Sequence, residues 1–126
     1  MPTERIYKGD RFDVRGWVEN EQCLVLDFLE ELEANGDTDS VRLNNLILQT
    51  ADYGVRHNKR HIRSLGDDIY EFKAPNTGRI LFFYDKNRLI ICAHGFTGKK
   101  GSEDKFIKTQ IKKAERIKDD YFAEKR

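Results

Sequence analysis

The chain has 126 residues, of which 38% are hydrophobic and 36% charged, with a formal net charge of +1 at pH 7. Eight Phe, five Tyr and one Trp exclude disorder throughout, and the length predicts a single domain, 1–126, with one modest core. No apolar run approaches the roughly 18 residues that span a bilayer, and the N-terminus lacks a signal-like apolar core, so we expect a cytoplasmic protein without a membrane segment.

The charges are unevenly distributed along the chain. Residues 1–54 hold 5 Lys/Arg and 12 Asp/Glu, a net charge of −7, whereas residues 55–126 hold 18 and 10, a net charge of +8. A basic half is typical of a polyanion-binding surface, although lysines on a solvated helix give the same count. Cys23 and Cys92 lie in apolar runs without metal-ligand spacing, which predicts buried thiols and implies neither a metal nor a cofactor.

In chain order, the first predicted element is a strand within residues 11–20, and Asn20 is the expected cap of the helix that follows. Apolar residues spaced i, i+3, i+4 predict that this helix extends to Gly36. The same spacing predicts a second helix from Asp39 or Ser40 to Gly54. We expect the two helices to pack as a hairpin.

The second half of the chain begins with the segment 55–66, which is rich in cations from Arg56 to His61, has no clear period and is interpreted as a basic connector. Three apolar runs follow, 69–74, 79–85 and 88–96, and the turn sequences between them predict an antiparallel meander. A final helix is predicted from residue 103 to about 122. The expected fold class is α+β, with the order β-α-α-β-β-β-α and the helices on one face of the sheet.

The first hairpin of this meander carries charges among its apolar residues. Glu71 and Lys73 share one face of their strand, and a symmetric loop over 74–78 places Lys73 opposite Arg79 and Glu71 beside Leu81. The three charged side chains are therefore expected to cluster. Solubility of an exposed loop end accounts for such charges equally well.

Two lysines extend this predicted cluster, because Lys99 and Lys100 follow the last strand of the meander, where they can approach Arg79. Metal-free RNA cleavage requires a base that takes the ribose 2′-OH proton and fixed cations that stabilise charge on the scissile phosphate. A carboxylate among several cations supplies both groups.

Roughly residues 61–122 contain, in order, the segments L-x-x-x-I-Y-E-F-K, R-I-L-F-F-Y, L-I-I-C-A-H-G-F and K-K. This pattern resembles the phage Gp49-like, HigB-type branch of the RelE/ParE superfamily. These proteins are toxins of bacterial type II toxin–antitoxin pairs. The resemblance implies a ribosome-dependent endoribonuclease that acts on mRNA on the ribosome. It also implies a cognate HigA-like antitoxin, a helix-turn-helix protein, as the second partner.

The resemblance also implies individual roles. Glu71 falls where relatives place the base, Arg79 matches the arginine that contacts the phosphate, and Lys100 matches the cation after the last strand. Phe106 replaces an aromatic that carries a hydroxyl in some relatives, so it can stack on a base but cannot move a proton. The expected RNA or phosphate contacts are Lys73, Lys99 and Phe106, and, from the cations of the basic connector rather than from the resemblance, Arg56, Lys59 and Arg60.

Two alternatives remain open on the sequence: a non-catalytic ParE-like toxin that inhibits DNA gyrase, and an inactive phage-derived Gp49-like binding protein. The retained cluster of Glu71 with its cations favours the enzyme. His94 is expected to be a buried, hydrogen-bonded histidine on the same strand face as Ile90 and Cys92, with a role as an acid as the alternative.

Overall fold

The computed structural model describes residues 2–55, 60–86, 88–98 and 104–125. Within these ranges the chain forms seven strands and three helices. The strands are β1 (Thr3–Lys8), β2 (Asp13–Glu19), β3 (Gln22–Cys23), β4 (Ile62–Gly66), β5 (Ile69–Lys73), β6 (Gly78–Asp85) and β7 (Leu89–Thr97). The helices are α1 (Leu24–Ala34), α2 (Asp39–Tyr53) and α3 (Asp104–Glu124). The predicted α+β class, the meander and all three helices are confirmed.

The strands form one mixed sheet in the order β1-β2-β7-β6-β5-β4, and β3 pairs with β2 outside this path. Strands β5, β6 and β7 are the predicted antiparallel meander. Strand β2 lies parallel to β7, with Val14 opposite Ile90. The meander is therefore the centre of a wider sheet.

The predicted element order is wrong because it omits β1, β3 and β4. Strands β1 and β4 are the two edges of the sheet, where charged side chains are common because an edge faces water and must not pair with other chains. The segment interpreted as a connector thus contains β4. Asn20 does not cap α1: it lies with Glu21 in the turn between β2 and β3, at φ 51 and 66, and the cap residue is Cys23.

The helices cover both faces of the sheet, so the prediction that they pack on one face is also wrong. Helices α1 and α2 bury one face, which contributes Val14, Phe72, Ile80, Phe82, Ile90 and Cys92 to a first core cluster. Helix α3 packs on the other face, which contributes Trp17, Ile69, Leu81, Phe83, Ile91 and Ala93. Since both faces are buried, consecutive residues of β6 are apolar, as in strands covered on two sides.

A buried carboxylate fixes the end of α3 to the sheet. The hydroxyl of Tyr121 donates to Oδ2 of Asp85 at 2.5 Å, and Lys125 forms an ion pair with the same oxygen. Burial by itself raises the pKa of Asp85, but the hydrogen bonds from Lys125 and Tyr121 outweigh it, so the pKa lies below its usual value. None of the described helices is long and apolar enough to cross a membrane.

Candidate functional site

The β5–β6 hairpin has the register that its sequence predicts. Lys73 pairs with Arg79 and Glu71 pairs with Leu81, on the face of the sheet where α3 packs. The loop closes with a hydrogen bond from the backbone N–H of Ala74 to the carbonyl of Gly78 at 3.0 Å. Because the pairing is symmetric, the charged residues of both strands meet at one end of the hairpin.

The hairpin loop is held by a carboxylate from α2. Asp39 is fully buried, and its two oxygens accept the backbone N–H groups of Asn76, Thr77 and Gly78 at 3.3, 2.9 and 2.7 Å. Buried N–H groups without an acceptor are costly, and a carboxylate is a strong acceptor for them. Asp39, predicted only as the start of a helix, therefore also fixes the loop directly before Arg79.

Glu71 is fully buried, and arginines occupy both of its oxygens. The Nε of Arg63 donates to Oε1 at 2.6 Å, and the Nη1 of Arg79 donates to Oε2 at 3.3 Å. A buried carboxylate is tolerated only when it is paired and hydrogen-bonded, and this one has two cationic partners. Arg63 is absent from the residues that the sequence predicts for this site, because the pattern of its segment predicts a connector rather than a strand beside β5.

Arg79 lies deeper than Arg63, with 14% of its side chain exposed against 51%. Its Nε is buried and has no hydrogen-bond partner in the part of the chain that the structure describes. A Cβ added to Gly98 would lie 3.1 Å from this Nε, so the glycine leaves room for the guanidinium. The Nε donor of Arg79 is thus buried beside Gly98 without an acceptor among the described residues.

Other predicted residues surround the same cluster. Lys73 is exposed opposite Arg79. Phe96, the register partner of Arg79 on β7, contacts the half-exposed ring of Phe106 on α3, with the ring centroids 5.8 Å apart. The structure therefore brings Glu71, Lys73 and Arg79 together and places Phe106 beside them.

The remaining predicted contacts are only partly visible. Arg60 is exposed two residues before β4. Arg56, Lys59, Lys99 and Lys100 lie outside the described residues. Within the described ranges, no group of three or more His, Cys, Asp or Glu side chains is arranged to hold a metal ion.

His94 is buried and hydrogen-bonded, as predicted, but on the other face of the sheet. The pairing between β6 and β7 shifts so that Leu81 faces His94 and Phe82 faces Cys92, which leaves Ala93 as an extra residue. Such a bulge reverses the alternation of side chains that sequence spacing assumes. His94 consequently reaches α3, where its Nε2 lies 3.0 Å from the carbonyl of Gln110.

This environment keeps His94 neutral. Burial lowers the pKa of its imidazole, and the charge of Lys113 lowers it further, while the backbone contact with Gln110 and the charge of Glu19 oppose the shift. A neutral ring near a carbonyl donates its Nε2 proton, so that proton is held inside the protein. The arrangement fits a structural histidine that fastens α3 to β7.

The comparisons with known proteins point to one family. A family model described as phage derived protein Gp49-like (DUF891) matches residues 27–119, from the first turn of α1 into the second half of α3. The match includes Glu71, Arg79 and the hairpin that carries them. The search of curated proteins found no match.

Proposed function

Because this match covers most of its length, the chain belongs to the Gp49-like family, which is related to the RelE/HigB-like toxins, and we propose that it is a toxin of this kind. Its activity is proposed to be ribosome-dependent cleavage of mRNA, as the endoribonuclease of a type II toxin–antitoxin system. The proposed partners are mRNA on the ribosome and a HigA-like helix-turn-helix antitoxin that covers the basic site.

The observation that carries this proposal is the concentration of cations around one buried carboxylate. Glu71 is paired with Arg63 and Arg79, and Lys73 is exposed across the hairpin. Three cations exceed what one carboxylate needs for neutrality, so the surface attracts an anion such as the RNA backbone. A protein that used this surface only for solubility would have no need of the buried carboxylate.

The proposed reaction is an attack of the ribose 2′-oxygen on the adjacent phosphorus. The 2′-OH proton passes to a base, the bond from phosphorus to the 5′-oxygen breaks, and that oxygen takes up a proton as it leaves. Negative charge grows on the phosphate during this step, and positioned donors that meet this charge lower the barrier. Arg79 is the proposed donor, with Lys73, Lys99 and Lys100 as further cations.

Glu71 is the proposed base, and its pairing sets a condition on that role. Both of its oxygens accept hydrogen bonds from arginines. A carboxylate takes a proton only when one oxygen is within hydrogen-bond reach of the donor. Glu71 can therefore act as the base after RNA binding opens one of the two ion pairs.

The proposal is tested by expressing the chain under tight control in bacteria and mapping 5′ ends on mRNAs, with and without translation. Cuts inside translated frames that disappear in Arg79→Ala, and also when translation is blocked, are the expected result. Arg88→Ala is the matched control, because Arg88 is an exposed arginine that makes no ion pair with a described residue. Growth arrest without such cuts would indicate a non-catalytic toxin that acts on DNA gyrase, and no arrest would indicate an inactive binding protein.

A further inference from the structure

Arg63 reaches the candidate site from the edge strand of the sheet. On β4 it is the register partner of Glu71 on β5. Its Nε donates to Oε1 of Glu71 at 2.6 Å, while 51% of its side chain is exposed. A guanidinium has five N–H donors in a fixed planar arrangement, and the terminal nitrogens of Arg63 bind no described residue. These donors face solvent at the rim of the site.

The pairing of two arginines with Glu71 leaves an excess of positive charge. One guanidinium would neutralise the carboxylate, so the second adds a cation that has no counter-ion of its own. Two guanidiniums on the same carboxylate also repel each other at short range. A bound phosphate would relieve this repulsion, and planar guanidiniums bind phosphate oxygens through two donors at once.

The orientation of both arginines depends on Glu71. Long arginine side chains lose conformational freedom when they are fixed, and a buried acceptor that orders them beforehand reduces that cost on binding. Oε1 holds Arg63 and Oε2 holds Arg79, so each oxygen orients one of them. The carboxylate is thereby shared between an exposed and a nearly buried cation.

We propose that Arg63 is a further phosphate-binding residue of this site and that Glu71 is the positioning residue that holds Arg63 and Arg79 toward the same RNA backbone. The inference rests on the proposed function for its ligand, a single RNA strand. It assigns Glu71 a role in binding that precedes any role as the base.

The test measures binding of a short single-stranded RNA whose riboses carry 2′-O-methyl groups, so that no 2′-OH is available and cleavage cannot occur. Arg63→Ala is expected to weaken binding about tenfold, as for the loss of a charge-assisted hydrogen bond. It should also reduce the slope of log affinity against log salt by about 0.7, the value for one phosphate contact on a single strand.

Arg116→Ala is the matched control for Arg63→Ala. Arg116 has the same side-chain exposure, 51%, and a 2.6 Å ion pair with Glu19 of β2. If Arg63 contributes only charge and one ion pair, both variants will change affinity and salt slope equally, and the inference will be wrong. A selective effect of Arg63→Ala, with unchanged thermal unfolding, supports it.

Glu71→Gln tests the positioning role, because it removes a negative charge next to the bound phosphate. If only the lost negative charge matters, this variant will bind the RNA more tightly. If Glu71 holds the two arginines in place, they lose their orientation in the variant, and it will bind severalfold more weakly. Tighter or unchanged binding would overturn the positioning role. Arg63→Lys keeps the charge without the planar donors, so it should retain the wild-type salt slope with lower affinity, even if Arg63→Ala does not fold.

The failure of this inference is distinct from the failure of the proposed function. Binding by the wild-type chain that Arg63→Ala leaves unchanged would overturn only the role of Arg63. Absence of RNA binding by the wild-type chain would overturn the proposed function and this inference with it.

Discussion

The carboxylate of Asp39 accepts the backbone N–H of Gly78 at 2.7 Å, so the start of α2 fixes the loop that precedes Arg79. The contact joins residues 39 positions apart in sequence. Asp39 is fully buried, and its two oxygens accept three loop N–H groups in all. The position of Arg79 thus depends on a helix on the opposite face of the sheet.

Replacement of Asp39 by Ala should destabilise the fold and impair the site. Loss of the carboxylate leaves one buried and two part-buried N–H donors without this acceptor, and we expect the free energy of unfolding to fall by about 3 kcal/mol. Asp39→Asn keeps one acceptor oxygen and should cost less. Urea unfolding of both variants is the measurement. Asp119→Ala, at an exposed acid of α3, is the control and should change stability little.

Replacement of Arg79 by Lys should abolish most of the proposed mRNA cleavage while the protein still folds. Lysine keeps one positive charge but lacks the planar donors that meet the charge developing on the phosphate. The loss of a positioned donor of this kind typically costs about 10²–10³ in rate. Single-turnover cleavage on programmed ribosomes measures the rate, and Arg88→Lys is the control. Cleavage by Arg79→Lys near the wild-type rate would remove Arg79 from the catalytic role.

Substitution of Gly98 by Ala should disturb Arg79 without unfolding the protein. The added Cβ would lie 3.1 Å from Nε and 3.4 Å from Cζ of Arg79, which is tighter than an ordinary contact. Because the guanidinium ends a flexible side chain, it can move by a few tenths of an ångström at little cost in stability. We therefore expect slower cleavage with a nearly unchanged melting temperature. Thr97→Val, at the neighbouring exposed position, should leave both quantities unchanged.

The burial of His94 predicts a loss of stability in mild acid. Burial lowers the pKa of the folded imidazole below its usual 6.5, so the unfolded chain takes up a proton that the folded chain does not. The stabilisation is present above about pH 6.5 and is lost as the pH falls toward the folded pKa, by at most about 1.4 kcal/mol per pH unit. Urea unfolding at several pH values should therefore show a steeper dependence for the wild type than for His94→Gln.

The exposed His61 provides the control for this measurement. His61→Gln removes an exposed imidazole that lies outside the contact between α3 and the sheet. An equal loss of stability in acid for wild type and His94→Gln would show that His94 does not govern the effect.

Asp85 predicts a second pH effect, at lower pH. Its pKa in the folded state lies below the usual 3.8, so its contribution to stability is present above about pH 4 and disappears as the pH falls through the folded pKa. Asp85→Asn should be less stable than the wild type at pH 7, and the difference should shrink below pH 4. Thermal unfolding across this range measures it. A difference that stays constant to low pH would contradict the assignment.

Much of the fold follows from local sequence. The apolar stripes predict all three helices, and Gly36 and Gly54 adopt positive φ values of 69 and 95 where the first two helices end. The spacing of charges around a symmetric loop predicts that Lys73 faces Arg79, which the register confirms. Each of these features depends on residues that are close together in the chain. The spacing of apolar residues and the turn residues that produce them can therefore be read from the sequence.

The tertiary structure decided which further residues complete the site. Arg63 lies in a short edge strand whose two apolar residues, Ile62 and Leu65, do not alternate, and only the pairing of β4 with β5 places it on Glu71. Likewise, the bulge at Ala93 turns His94 toward α3, against the alternation of an ideal strand. The sequence by itself determined the hairpin and its cluster of charges, because both are local. The partners of the buried carboxylates of Asp39 and Asp85, by contrast, come from elements far apart in the chain, and the packing of both sheet faces selects them.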